Sequence, residues 1–149
     1  MISRKDWLLL EALSEDSRQS IKELARKVRM PRATVFDRLK KLKRNKTIKQ
    51  FTILPDFEQL DLTTTAFIWV KFSPGKKLLQ RKVAREIAKL KGVYEVHLVS
   101  GEWDILIKAR AKNMKDLGEL IIDKMRLIEG VAQTMTSTSF ETVKEKTFV

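Results

Sequence analysis

The sequence contains no cysteine and a single histidine, His97. The first absence excludes disulfides and thiolate metal sites; the second excludes a histidine-built metal site or a histidine-rich relay. Neither a metal site nor a catalytic residue set is therefore expected. The chain also lacks the roughly 18 consecutive apolar residues needed to cross a bilayer. Met1-Ile2-Ser3-Arg4-Lys5-Asp6 leads straight into an amphipathic pattern without the apolar core of a signal peptide. No membrane partner is expected, and the chain reads as cytoplasmic.

What is present is positive charge. Lys and Arg number 31 against 19 Asp and Glu, a net +12 over 149 residues, which favours anionic partners such as nucleic acid. With 43% hydrophobic residues the chain can bury real cores, as one ordinary domain or two small ones.

The first third reads as three short helices. Leu9, Leu10 and Leu13 form a helical stripe over residues 4–14, with Asp6 near its start facing the positive end of the helix dipole. Ser20 followed by Glu23 is a capping-box pattern ahead of Ile21, Leu24, Ala25 and Val28, which predicts a helix over 20–28. After Arg29-Met30-Pro31, the stripe Val35, Leu39 and Leu42 predicts a third helix over 31–44. Two helices joined by a tight turn fit a helix-turn-helix, as they also fit a generic three-helix bundle. Thr47 to Ile53 alternates apolar and polar residues, which suggests a strand or wing before Pro55. The expected division is a helix-turn-helix domain over 1–53, a linker over 54–62 and a second domain over 63–149.

That second domain contains an internal repeat. A strand from Thr64 to Phe72, a helix over 78–90 and a strand from Gly92-Val93 to Val99 are followed by a strand from Ile105 to Ala111, a helix over 114–128 and a strand from Gly130-Val131 to about 141. Each glycine suits a left-handed helix cap. Two such βαβ units make a ferredoxin-like βαββαβ fold, so the whole chain is α+β. Along the first strand Thr65, Phe67, Trp69 and Lys71 share one face and Ala66, Ile68, Val70 and Phe72 the other. Both faces are largely apolar, and a second copy covering one of them predicts a dimer or larger assembly.

The charge is concentrated beside the third helix. Between Arg29 and Lys49 there are nine basic residues and one acid, Asp37. On a helical wheel Ala33, Asp37, Lys40 and Arg44 point away from Val35, with Thr34, Phe36 and Lys41 flanking. This is a solvated face or a phosphate footprint; the adjacent helix-turn-helix pattern favours double-stranded DNA. Arg32, Ala33, Phe36, Asp37 and Lys40 are then the candidates for base edges, because recognition helices read with their N-terminal residues. Thr34, Arg38, Lys41, Lys46 and Lys49 are the candidates for phosphate contacts that set register. Phe36 fits a thymine methyl or the edge of the core.

Asp6, Leu9-Leu10, Leu13, Asp16 with Arg18, Glu23-Leu24-Ala25, Val28, Thr34-Val35, Arg38-Leu39, Leu42 and Ile48 form one ordered set. Gly92-Val93, Val96, Ser100-Gly101-Glu102-Trp103-Asp104, Ala111, and Gly130-Val131 with Thr134 and Thr136 form another. Together they resemble the Lrp/AsnC family, the feast/famine regulators of bacteria and archaea, over almost the whole chain. The resemblance implies a transcriptional regulator with a helix-turn-helix, a β linker and a βαββαβ regulatory domain that forms a homodimer and often an octamer. It implies a cytoplasmic, nucleoid-associated prokaryotic protein that needs no cofactor and responds to an amino acid or related metabolite.

The resemblance further implies an effector site near Ser100, Gly101, Glu102, Trp103 and Asp104, with Thr134 and Thr136 on a nearby strand. There Gly101 would let backbone amides approach an anion and a carboxylate would meet an ammonium group. The same residues fit a plain hairpin turn, and both readings stand. His97 reads as a surface or sheet residue. The chain departs from the family where glycine is usual: Arg29 stands before the third helix and Lys46 before the wing, and Pro31 replaces a Ser cap. A non-glycine residue at positive φ costs about 1 kcal/mol, so either these turns are reshaped or Asn45 takes the conformation beside Lys46.

Two other functions fit parts of the pattern. An architectural DNA-binding protein with little sequence preference would suit the basic second half, with 16 Lys and Arg against 10 Asp and Glu over 63–149. An enzyme using Glu102 and Asp104 as acid and base rests only on two carboxylates at a turn.

Overall fold

The computed structural model describes residues 2–73 and 78–146. They group into two compact units: the first runs to Leu54 and is joined by residues 143–146, and the second lies within Pro55–Thr142. Among the described residues no helix is long and apolar enough to cross a membrane.

The first unit is three helices, α1 (Arg4–Glu15), α2 (Ile21–Lys27) and α3 (Arg32–Arg44). Both α1 and α2 begin with a reciprocal capping box. Ser20 Oγ accepts from the Glu23 amide at 3.2 Å while the Glu23 carboxylate accepts from the Ser20 amide at 2.8 Å. Ser3 and Asp6 repeat the arrangement at α1, where aspartate does what glutamate usually does. Helix α3 begins one residue later than expected, because Pro31 keeps an extended cap conformation with ψ 144°. Leu9, Ala12, Leu24, Ala25, Met30 and Val35 form the buried core, with Leu13, Ile21, Val28 and Leu39 packed around it.

Helices α2 and α3 both end in left-handed caps made without glycine. At the end of α2, Arg29 has φ 52°, its amide donates to Arg26 O, and the Met30 amide donates to Ala25 O at 3.0 Å. This is a Schellman motif, which satisfies carbonyls that the helix end would otherwise leave open. At the end of α3, Lys46 itself takes φ 56°, its amide donating to Lys43 O and the Ile48 amide to Leu42 O. Asn45 does not relieve Lys46: it is the preceding cap residue, at φ −82°.

The strand expected over residues 47–53 is not formed. Alternating side chains favour an extended backbone, but a strand exists only where a second strand supplies hydrogen bonds, and among the described residues none pairs with this segment. Phe51 instead lies under Lys43, whose Nζ sits 5.6 Å from the ring centroid. The expected linker is not featureless either. Phe57 to Leu62 form a compact turn, with the Leu62 amide donating to Phe57 O at 2.9 Å.

The second unit is a four-stranded antiparallel sheet in the order β2-β3-β1-β4. Strands β1 (Thr64–Phe72) and β3 (Ile105–Ala111) fall where the sequence places them; β2 is Val93–Leu98, and β4 stops at Thr138, three residues short of expectation. Helix α4 (Gln80–Ile87) is shorter than expected and is prolonged by turns to Leu90. Neither repeat glycine is a helix cap. Gly92 (φ 95°) and Gly130 (φ 94°) sit third in β-turns closed by Val93 N to Leu90 O and Val131 N to Ile128 O, the position where a type II turn demands positive φ.

The expected helix over 114–128 is also broken up. Helix α5 (Met114–Gly118) widens into a π turn over Glu119–Lys124 and tightens into a 3-10 turn over Met125–Leu127. At about 100° per residue an unbroken helix would rotate residue 125 about 80° away from residue 117. The wide turn absorbs that rotation, so Leu117, Leu120, Ile121 and Met125 all reach the core. They meet Ala66, Ile68, Val70, Ile105, Ile107 and Ala109 from the sheet and Val83 and Ile87 from α4.

The other sheet face is open. Register aligns His97, Leu106, Trp69 and Met135 in one row across it, and Glu95, Lys108, Phe67 and Ser137 in the next. Phe67 is 39% exposed and Met135 42%. At one end the buried Arg110 donates to Thr65 Oγ1 at 2.9 Å, with the Phe57 ring centroid 3.7 Å and the Tyr94 ring centroid 5.9 Å from its guanidinium carbon, the two rings set edge to face. His97 lies exposed on β2, 3.1 Å from Glu95.

Candidate nucleic-acid and effector sites

Helix α3 is held by its apolar stripe and by one polar clamp. The Arg38 guanidinium donates to Asp6 Oδ1 at 2.8 Å and to Ser3 Oγ at 2.9 Å, tying α3 to the start of α1 across 32 residues. The Ser3 hydroxyl most of all, then the Ser3 amide and Arg38, outweigh burial and hold the Asp6 carboxyl at about 2. Arg38, expected on a phosphate, is thus turned back onto α1, with its side chain 29% exposed.

The outward face of α3 carries the other expected residues. Arg32, Ala33, Phe36, Asp37, Lys40 and Lys41 are exposed and Thr34 is half-buried; Lys46 and Lys49 follow, exposed, beyond the helix. Phe36 is 56% exposed, so it is not a core residue in this unit. Sequence reasoning missed Lys22 and Arg26, which with Arg32 line an open groove of about 600 Å³ between the start of α2 and the start of α3. Their signal was available: both lie on the polar side of the predicted second helix.

In the sheet unit the segment from Ser100 to Asp104 is a hairpin connection. It is closed by Val99 N to Asp104 O at 3.0 Å, and Gly101 takes φ 116°. A Cβ on Gly101 would meet nothing within 4 Å, so its backbone conformation and not crowding requires glycine. Asp104 is a bracket: its carboxylate accepts from the Phe72 amide at 2.8 Å, its amide donates to Val70 O, and its carbonyl accepts from Gln80. Lys71 donates to the Glu102 carbonyl. Ser100 and Glu102 are exposed and Trp103 is half-buried.

Thr134 lies opposite Val70 and Thr136 opposite Ile68. Ile105 and Thr134 therefore flank Val70 on either side, two strand spacings or about 10 Å apart, with Asp104 next to Ile105 at the end of β3. Sequence reasoning missed Arg126, whose Nε donates to Thr134 Oγ1 at 2.9 Å from the 3-10 turn. A residue delivered by a π-to-3-10 transition leaves no trace in hydrophobic spacing.

Residues 65–149 match the family model of the Lrp/AsnC ligand binding domain, and residues 2–49 match that of a winged helix-turn-helix DNA-binding domain. The chain belongs to the Lrp/AsnC family. A HTH-type transcriptional regulator of Pyrococcus furiosus is 47% identical to it over 98% of this chain and 97% of its own length. A transcriptional regulator of Neisseria meningitidis, solved in complex with L-Met, superposes with a TM-score of 0.92 at 25% identity, covering 100% of this chain and 96% of that one. A feast or famine regulatory protein of M. tuberculosis, complexed with L-methionine, shares the fold with a TM-score of 0.88 at 17% identity, over 97% and 96% of the two chains. This Lrp/AsnC protein is a transcriptional regulator, not an enzyme: its three helices are a DNA-binding domain and its sheet unit a ligand-binding domain.

Proposed function

We propose that this regulator reads operator DNA with the exposed face of α3 and is modulated by an amino acid bound at the end of its sheet. The observation that carries the first part is the composition of that face. Arg32, Ala33, Phe36, Asp37 and Lys40 are presented together on a helix whose opposite side is anchored by Val35 and Leu42. These five meet base edges, while Thr34, Lys41, Lys46 and Lys49 take phosphates, with Lys22 and Arg26 joining them from α2. Arg38 positions the helix from behind. Residues 1–53 act as the DNA-binding domain and 63–149 as the regulatory domain, with 54–62 between them.

The working unit is a homodimer that covers the open face of the sheet, where Leu106, Trp69 and Met135 form an apolar row. Dimers assemble further into octamers in a prokaryotic cytoplasm. Arg126 and Thr134 supply a cation and a hydroxyl for an effector carboxylate, and the turn Ser100 to Asp104, with Thr136 nearby, completes the site. The L-methionine of the Neisseria regulator makes that amino acid the first to test.

Titration calorimetry of the purified protein with L-methionine, then with the other amino acids, tests the effector. Binding that disappears in Arg126→Ala supports this site, and binding unchanged by that substitution removes Arg126 from it. Anisotropy titrations with duplex DNA test the reader: Arg32→Ala relaxes sequence preference, and two variants, Arg32→Ala and Lys41→Ala, that both bind like wild type would exclude α3.

A further inference from the structure

The sheet unit segregates its charge. Residues 80–91 carry five Lys and Arg against one Asp or Glu, whereas the rest of residues 55–142 carries nine against eleven. The positive excess of this unit therefore lies on one helix and the turn that follows it. Arg81, Arg85, Lys89 and Lys82 fall within an arc of about 100° on a helical wheel, and all four are exposed, as is Lys91. Val83, Ala84 and Ile87 occupy the opposite side and are buried in the core. Glu86, the one acid, pairs with Lys89 at 2.7 Å.

We infer that α4 is a second binding surface for the phosphate backbone of double-stranded DNA, separate from the base-reading face of α3. The inference rests on the reading of the protein as a DNA-binding regulator, and it adds a contact made by the ligand-binding domain. A solvated helix face ordinarily mixes both signs, as residues 115–129 do with Lys115, Lys124 and Arg126 among Asp116, Glu119, Asp123 and Glu129. The α4 stripe does so only through Glu86 at its edge, against five cations over residues 80–91. From residue 81 to residue 89 it extends about 12 Å, the axial rise of three to four phosphates on one strand. A membrane surface fits it poorly, because an interfacial helix needs an apolar face to insert and that of α4 is already spent in the core.

The test compares a short duplex of about two helical turns carrying the preferred site with one about a persistence length long, ~150 bp, carrying the same site. The full-length triple variant Arg81→Gln, Arg85→Gln, Lys89→Gln binds the short duplex within about twofold of wild type. It binds the long one at least about tenfold more weakly, with the log–log salt slope lowered by about two to three. Arg81→Lys with Arg85→Lys, which keeps the charge, retains long-duplex binding. Thermal melting confirms that the variants fold, and light scattering gives their assembly state.

Long-duplex affinity and salt slope equal to wild type would overturn the inference and leave α4 a solvated face. A triple variant that falls apart into smaller assemblies would overturn it too, making the stripe a subunit contact. Loss of short-duplex binding in wild type itself would count against α3 as reader; long-duplex binding that still depended on the stripe would sustain the inference alone.

Discussion

The two units handle the same backbone problem differently. Among the described residues of the sheet unit the left-handed turns at residues 92, 101 and 130 are glycine, and the one exception, Asp61, is of a type that tolerates the conformation. Among the described residues of the helical unit both left-handed positions, which bracket α3, are long cations, Arg29 and Lys46. Each costs about 1 kcal/mol relative to glycine. At its turns the sheet unit uses glycine or aspartate; at the two ends of α3, the helix proposed to read DNA, the chain accepts strain and presents positive charge. If the proposed DNA face is the functional surface, strain of this kind trades stability for binding.

The largest effect that would break this comparison lies in the sheet unit. A Cβ at Gly130 would stand 2.4 Å from Leu78 Cδ2 and 2.9 Å from Val83 Cγ2 at a φ of 94°. Gly130→Ala should therefore destabilise the unit by about 3 kcal/mol, read by urea unfolding. In the helical unit Asp6→Ala removes the carboxylate that holds Arg38 and should cost about 2 kcal/mol. Its pH signature follows from the lowered pKa. The Asp6 contribution is fully present above the ordinary 3.8 and is lost as pH falls through about 2. The stability gap between wild type and Asp6→Asn should accordingly close on acidification over that interval, and a constant gap would mean the clamp is not ionic.

The comparison itself is sharpened by Arg29→Gly and Lys46→Gly. Each should raise the stability read by urea unfolding, by about 1 kcal/mol or less, while weakening DNA binding and lowering the salt slope by about 0.9. A variant that gains stability with no loss of binding would show that the cation is incidental. Smallest of all, Lys41→Ala should leave stability unchanged and weaken all duplexes alike, again with a slope change near one unit, about 0.9.

How far these features could be read in advance depended on their range along the chain. Helices α1 to α3 and strands β1 and β3 follow periodic patterns that local burial dictates, so Leu9, Val35, Ile68 and Ile107 lie where their spacing puts them. Features that depend on partners distant in sequence were not legible. The Asp6–Arg38 clamp spans 32 residues, and the strand over 47–53 failed for want of a neighbour to pair with. Asp104 read equally well as an effector ligand or a turn residue, because only the fold brings the Phe72 amide to its carboxylate. The π turn was invisible for a subtler reason: Leu117, Leu120 and Ile121 fit an ordinary helix, and only the burial of Met125 reveals the extra residue. On the reading face exposure was legible from the wheel, whereas the diversion of Arg38 onto α1 was not.

The central claim is that α3 reads sequence, and in vitro selection from random duplex DNA near physiological salt tests it most directly, run with wild type and Arg32→Ala in parallel. The account predicts that wild type enriches an inverted repeat with half-sites about one helical turn apart, and that Arg32→Ala blurs the preference within each half-site while keeping the spacing. Binding by wild type without enrichment, or an identical motif from both proteins, would contradict it.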